Sequence, residues 1–265
     1  MTMQMSNAPT ILVFDSGLGG LTVFREVAKV RPDARYLYVA DDAFFPYGGH
    51  GEAELVARVV ALMGELIDAH RPDLIVIACN TASTLVLPQL RARFSLPFVG
   101  TVPAIKPACA ASVTRRVSVL GTEATVGREY TRALIRDFAN GSDVTLVGSA
   151  RLAGFAEAEL KGAPADDAAL AEEIAPCFVD ADGRRTDTIV LACTHYPLLL
   201  ERLMRLAPWP VTYMDPAPAI ARRVVDLMGP TVPAQAPAPA RIAFTSGTPP
   251  PPALAAALAR FGIGQ

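Results

Sequence analysis

One stretch of the chain occurs twice. Asp73-Leu-Ile-Val-Ile-Ala-Cys79-Asn80-Thr81 returns as Asp187-Thr-Ile-Val-Leu-Ala-Cys193-Thr194-His195, at an offset of 114 (193 − 79). Three further matches keep the same order. Phe14-Asp15-Ser16 pairs with Leu120-Gly121-Thr122 at offset 106. Tyr38-Val39-Ala40 and the loop 45–48 pair with Leu146-Val147-Gly148 and the loop 153–156 at 108. The segment from Pro97 to Pro103-Ala104 pairs with that from Pro210 to Pro216-Ala217 at 113. Unrelated parallel strands would share Val/Ile/Leu runs, but not paired cysteines and Pro-Ala steps. The chain therefore reads as two related halves.

Each half reads as α/β. Ile11–Phe14, Tyr36–Ala40, Leu74–Ala78, Phe98–Gly100, Val117–Leu120, Val144–Gly148, Thr188–Ala192, Val211–Tyr213 and Ile242–Phe244 are short buried-strand patterns. Between the second and third, Glu52–His70 carries Leu55, Val56, Val59, Val60, Met63 and Ile67 on one helical face. Arg71-Pro72-Asp73 ends that helix. Pro88 predicts a kink or a late start in the helix after Thr81. Thr231–Ala240 and the prolines 249–252 read as solvated connections. Strand–helix alternation implies parallel sheets. The expected fold is α/β: two pseudo-symmetric parallel-sheet domains from an internal duplication, with the active site in the cleft between them. The first would hold residues 1–98 plus 209–265 and the second 99–208. Ligands in such sheets bind beyond the carboxyl ends of the strands, so the loops there are the places to look for chemistry.

Composition removes several function classes. Lys and Arg number 24 against 26 Asp and Glu, a net charge of −2, which lacks the electrostatic footprint of a nucleic-acid binder. A 51% apolar content is incompatible with disorder. The apolar runs are too short to span a bilayer, and residues 1–7 lack a signal-type pattern, so a soluble, cytoplasmic protein is expected. Four cysteines are too few for a disulfide scaffold and read as thiols.

Cys109 and Cys177 have no polar neighbours in sequence and read as core filling. Cys79 and Cys193 each end an equivalent strand beside hydroxyl, amide or imidazole groups. If the halves face each other, these thiols enter one cleft from opposite sides. One thiolate can then remove a proton from a stereocentre while the other thiol returns one to the opposite face. A free thiol is mostly protonated at neutral pH, so each needs a partner. His195, two residues from Cys193, points the same way in extended chain, and Asp15 is placed to serve Cys79. Neither cysteine has the close Cys-x-x-Cys spacing of a zinc site. Ser16 and the glycines 17, 19 and 20 precede a helix at Leu21 and present N–H groups to a carboxylate. Thr122 and Thr125 answer Ser16 in the second half, with helix capping the alternative role. A pyridoxal mechanism needs a Schiff-base lysine; of Lys29, Lys106 and Lys161 only Lys106 follows a strand-end loop. A cysteine hydrolase using Cys193 and His195, or a binding protein that only closes on an amino acid, remain alternatives.

Phe14-Asp-Ser-Gly-Leu-Gly-Gly20, Pro46-Tyr47-Gly48, Ala78-Cys-Asn-Thr-Ala-Ser83 and Ala192-Cys-Thr-His-Tyr-Pro197 together resemble the glutamate racemases, collinearly from Ile11 to about Gly247. The resemblance implies interconversion of L- and D-glutamate without cofactor or metal, supplying D-glutamate for peptidoglycan, by a protein that is commonly a homodimer. It implies Cys79 and Cys193 as acid/base residues, with Asp15 supporting Cys79 and both His195 and Glu157 supporting Cys193. Asp15, Ser16, Tyr47, Gly48, Asn80, Thr81, Thr122, Thr194 and His195 would hold the substrate. The chain departs from the family pattern at Ala192, at Phe44-Phe45 and in Gly154-Phe155-Ala156 before Glu157.

Overall fold

The computed structural model describes residues 8–231 and 239–264. Most of the expected 231–240 spacer and of the leader therefore lies outside the described residues. In chain order the strands are β1 (Thr10–Asp15), β2 (Arg35–Ala40), β3 (Leu74–Ile77), β4 (Phe98–Gly100), β5 (Arg116–Gly121), β6 (Asp143–Gly148), β7 (Asp180–Ala181), β8 (Arg184–Arg185), β9 (Thr188–Ala192), β10 (Thr212–Met214) and β11 (Arg241–Phe244). Each expected strand is present with bounds shifted by at most one residue, and the helix Glu52–His70 has its expected limits. The short antiparallel hairpin β7–β8 carries no periodic pattern in sequence.

Two all-parallel sheets result, ordered β11-β2-β1-β3-β4 and β10-β9-β5-β6. Read from the other side the second is β6-β5-β9-β10, which repeats β2-β1-β3-β4 strand for strand. The registers repeat as well: Asp15 lies beside Ala40, as Gly121 lies beside Gly148. The outermost strands do not follow the sequence match. Phe98 sits beside Ile75 and Tyr213 beside Ile189, an offset of 115 (213 − 98) rather than 113.

The expected boundaries also move. β4 is whole within the first sheet, and β10, expected with the first half, pairs with β9 in the second. The chain thus crosses after Gly100 and returns after Met214, not at 98 and 208. These are three-residue edge strands, whose partner is chosen by pairing rather than by a local pattern.

Period-two alternation divides each sheet's burial between two layers. Ile11 and Val13 face the helices Leu21–Val30, Ala217–Met228 and Pro252–Arg260, while Leu12 and Phe14 face Glu52–His70 and Asn80–Arg93. In the second sheet Ile189 and Leu191 face one way and Val190 and Ala192 the other. Both faces being covered explains why these strands read as continuous apolar runs. Pro88 neither delays nor ends its helix, which starts at Asn80 and runs to Arg93. Pro252, in the expected solvated run, opens the last helix, as proline can in a first turn.

Candidate active site

In each sheet the chain leaves the two middle strands in opposite directions: β1 leads to β2 and β3 to β4, as β5 leads to β6 and β9 to β10. Beyond the carboxyl ends of such a pair lies the crevice where α/β proteins bind ligands. Cys79 follows β3 and caps the helix Asn80–Arg93, its Sγ accepting the Ala82 N–H at 3.5 Å. Cys193 follows β9. A single cleft of about 310 Å³ is lined from the first half by Ser16, Phe45, Pro46, Tyr47, Gly48, Cys79, Asn80 and Thr81, and from the second by Thr122, Ala153, Cys193, Thr194 and His195. The cysteines are 5% and 6% exposed, so little water reaches them. Roomier cavities, of about 1010 Å³ beside Lys106 and Pro216 and about 800 Å³ beside Ile242 and Leu258, are lined among the described residues by no thiol, imidazole or carboxylate.

Of the residues to which the resemblance gives a role, Asp15 and Glu157 stand behind the cleft wall, and the others line it. Glu157 makes the strongest local link. Its Oε1 lies 3.0 Å from His195 Nε2 and accepts the Leu18 N–H at 2.7 Å, while Oε2 pairs with Lys161 Nζ at 3.0 Å. Burial raises this carboxyl's pKa, but the His195 bond, His195's charge and Lys161 more than reverse that, and it falls to about 2. Burial in turn works against the His195 cation, yet its bonds to Cys193 and Glu157 hold its pKa well above the usual imidazole value. The other ring nitrogen, Nδ1, is 3.7 Å from Cys193 Sγ.

Cys79 has different company. Ser16 Oγ is 3.6 Å away. Burial, reinforced by the charge of Asp15, pushes the thiol's pKa up to about 12, against a smaller lowering by the Ala82 N–H and Ser16. Asp15, expected to support Cys79, stands near it as a charge that works against the thiolate, since a buried anion beside a thiol favours its protonated form. Asp15 is itself raised by burial, with one oxygen taking the Gly17 and Gly20 N–H groups at 3.2 and 3.0 Å. Its Oδ1 has no hydrogen-bond partner.

The glycine loop is also used differently from expectation. Its N–H groups bind carboxylates, but the protein's own: Gly17 and Gly20 hold Asp15, and Leu18 holds Glu157. The glycines are needed for close approach. A Cβ on Gly17 would collide with Glu157, and one on Gly19 with the His195 ring.

Asn80 is buried with neither amide atom partnered, although it lines the cleft. Such a group is costly unless a ligand supplies the missing bonds. Thr81 Oγ1 meets Thr122 Oγ1 at 3.0 Å and Thr125 Oγ1 at 3.2 Å across the two halves. Thr122 also caps its helix through the Thr125 N–H. The Tyr47 hydroxyl donates to Asp41 at 2.7 Å, and Asp41 is gripped by Arg58 through two bonds and by Thr245. Phe45, noted in the sequence as an aromatic departure, lines the cleft; Asp41, Arg58 and Tyr38 carry no motif in the sequence, where an acidic residue directly after β2 is the available signal. Lys106 lies over the Phe138 ring, in another cavity.

Paired α/β halves with a thiol at the same strand end of each, closing on one buried cleft, define an isomerase-type site of the racemase class. The chain belongs to the Asp/Glu/Hydantoin racemase family, whose pattern matches residues 22–224. A glutamate racemase of Brucella anthropi is 59% identical over 221 residues, 83% of this chain and 80% of that protein. The crystal structure of Escherichia coli glutamate racemase in complex with L-glutamate and the activator UDP-MurNAc-ala superposes with a TM-score of 0.87 at 41% identity, covering 96% of each chain. A glutamate racemase isoform of Bacillus anthracis superposes with a TM-score of 0.76 at 25% identity, covering 96% of this chain and 94% of that one. Among the described residues no helix is long and apolar enough to cross a membrane.

Proposed function

We propose that this racemase interconverts L- and D-glutamate without a cofactor, using Cys79 and Cys193 as its two acid/base groups. The reading includes a cytoplasmic homodimer that supplies D-glutamate for peptidoglycan, with two domains divided at the crossings after Gly100 and Met214. The observation that carries the chemistry is the unlike company of two equivalent thiols around one cleft. Cys193, beside the His195 imidazolium, is the base toward L-glutamate: it takes the Cα proton, and the imidazolium balances the thiolate. Cys79, kept protonated by burial and Asp15, gives its proton to the opposite face of the same carbon. One Cα–H bond breaks, another forms, and the proton inventory is restored by the reverse reaction or by solvent.

In the D-to-L direction Cys79 must first ionise. With the thiol pushed up to about 12 by burial and Asp15, that ionisation adds to the barrier. The substrate ammonium, brought into the cleft, offsets it. Asn80, Thr81, Thr122, Thr194 and Ser16 present donors to the two carboxylates. Tyr47 and Gly48 contribute backbone, since the Tyr47 hydroxyl is committed to Asp41.

The test is polarimetry of purified protein on L-glutamate and on L-aspartate, with no pyridoxal phosphate or metal added. Loss of optical rotation on glutamate alone, with no ammonia released, is the expected result. Racemisation of aspartate instead moves the substrate assignment, and no change on either leaves the binding-protein reading ahead.

A further inference from the structure

The two cysteine loops are not held by their own halves alone. Next to Cys193, the Thr194 carbonyl lies 3.1 Å from the Thr22 hydroxyl of the first half, which shares its proton between that carbonyl and the Gly19 carbonyl at 3.0 Å. Next to Cys79, the Thr81 carbonyl accepts a bond from the Arg128 guanidinium of the second half. Arg128 also donates to Thr84 Oγ1 at 2.6 Å and pairs with Glu52 at 3.3 Å. Positions 22 and 128 are related by the offset that relates Asp15 to Gly121 (128 − 22 = 106; 121 − 15 = 106). The two residues thus reach into the opposite cysteine loops from matching places in the sequence, one at the first and the other at the second residue after its cysteine. Thr22 is buried, and the Arg128 side chain is only 10% exposed although its partner Glu52 is 66% exposed.

We propose that Thr22 and Arg128 are reciprocal positioning residues, each clamping the other half's cysteine loop so that both thiols are held to one substrate carbon. This rests on the two-thiol reading above. Neither residue lines the cleft; each acts through the backbone within two residues of a cysteine. A guanidinium fork makes charge-assisted bonds with fixed geometry, which suits the Cys79 side, where no imidazole–carboxylate pair stiffens the loop. On the Cys193 side the Glu157 bonds to His195 and to the Leu18 N–H already bridge the halves, and a hydroxyl completes the clamp.

The experiment compares Arg128→Gln, Arg128→Lys and Thr22→Val with the parent protein in two assays. In the first, unliganded protein is alkylated with iodoacetamide and each cysteine is followed by mass spectrometry. Arg128→Gln is expected to speed modification of Cys79 about tenfold or more, the effect of losing bonds to a charged group, and to leave Cys193 within about twofold. Thr22→Val is expected to do the reverse, by a smaller factor. Cys177, in the second core, stays protected in any variant that has folded. In the second assay, Arg128→Gln lowers kcat/KM about 10- to 100-fold, the scale of a misplacement near 1 Å, and equally in both directions; Arg128→Lys recovers part. Wild-type alkylation rates and kcat/KM within twofold in Arg128→Gln overturn the clamp. Should that variant fail to fold, Glu52→Gln and Thr84→Ala remove its outer partners and must move Cys79 in the same direction, or the proposal fails. Failure of the two-thiol reading appears separately, as racemisation retained by Cys79→Ser, and leaves the alkylation assay able to judge the clamp.

Discussion

The loop after β3 and the loop after β9 are copies of one design whose cysteines now keep unlike company. Both place a cysteine at the end of a middle strand and beside the first strand of its half. Beyond that they diverge. Asp15 at the end of β1 has Gly121 as its counterpart, and His195 has Thr81 as its own (195 − 114 = 81). The first half thus carries an acidic group that, together with burial, pushes the Cys79 thiol up, and the second an imidazole that bonds Glu157 and stands beside Cys193. Duplication places a thiol from each half at one cleft, and side-chain divergence gives the two thiols different surroundings. Burial magnifies the difference, because charges with little water nearby act on one another strongly.

The sharpest way to break this comparison is to remove one thiol at a time. Cys79→Ser and Cys193→Ser are each expected to lower racemisation at least about 10³-fold, since a positioned acid or base contributes 10² to 10⁴ and the alcohol is a far weaker one. A β-chloro glutamate needs a single deprotonation to eliminate chloride. Cys79→Ser should therefore keep elimination on the L-configured analogue and lose it on the D-configured one, and Cys193→Ser the converse. Chloride release measures this; a Cys79→Ser variant racemising at the parent rate ends the two-thiol scheme.

His195→Asn comes next, with an expected fall in kcat/KM of about 10²-fold. The equilibrium constant between enantiomers is one, so the fall is equal in both directions, and asymmetry shows only in the separate kcat values and primary isotope effects. Identical, parent-like isotope effects both ways would reduce His195 to packing.

The acid limb of stability sharpens the comparison further. Glu157 has its pKa lowered from 4.5 to about 2. A depressed carboxyl stabilises the fold fully above the unfolded value and loses that contribution as pH falls from about 4.5 through about 2. Glu157→Gln should flatten denaturation midpoints over that window, and an unchanged slope would discount the ion pair. His195 has the opposite sign: its raised pKa stabilises below the unfolded value and that gain fades as pH rises through the folded one.

The smallest expected effect belongs to Asp15→Asn. Removing the anion should lower the Cys79 pKa, seen as alkylation that begins at lower pH and is about three- to tenfold faster near pH 8, a shift of up to about one unit. Stability at neutral pH should not drop, because Asp15 is a buried acid with a raised pKa, whose ionised form costs stability above the unfolded value. A Cys79 profile unmoved by this change would mean that burial alone holds the thiol.

Local pattern was enough for much of this protein. The strands, the helix Glu52–His70, the duplication and the proximity of Cys193 to His195 follow from side-chain periods of two or 3.6 residues, which near neighbours impose on one another. Family resemblance then pointed to Glu157. Only the tertiary structure decided that β10 joins β9, that Asp15 opposes ionisation of Cys79, and that the glycine loop exists to let His195 and Glu157 approach from more than a hundred residues away. It also decided that Thr22 and Arg128 reach across to the opposite cysteine loops. Pairing, burial and Coulomb interaction depend on distances in space between residues remote in the chain, and no local period encodes those distances.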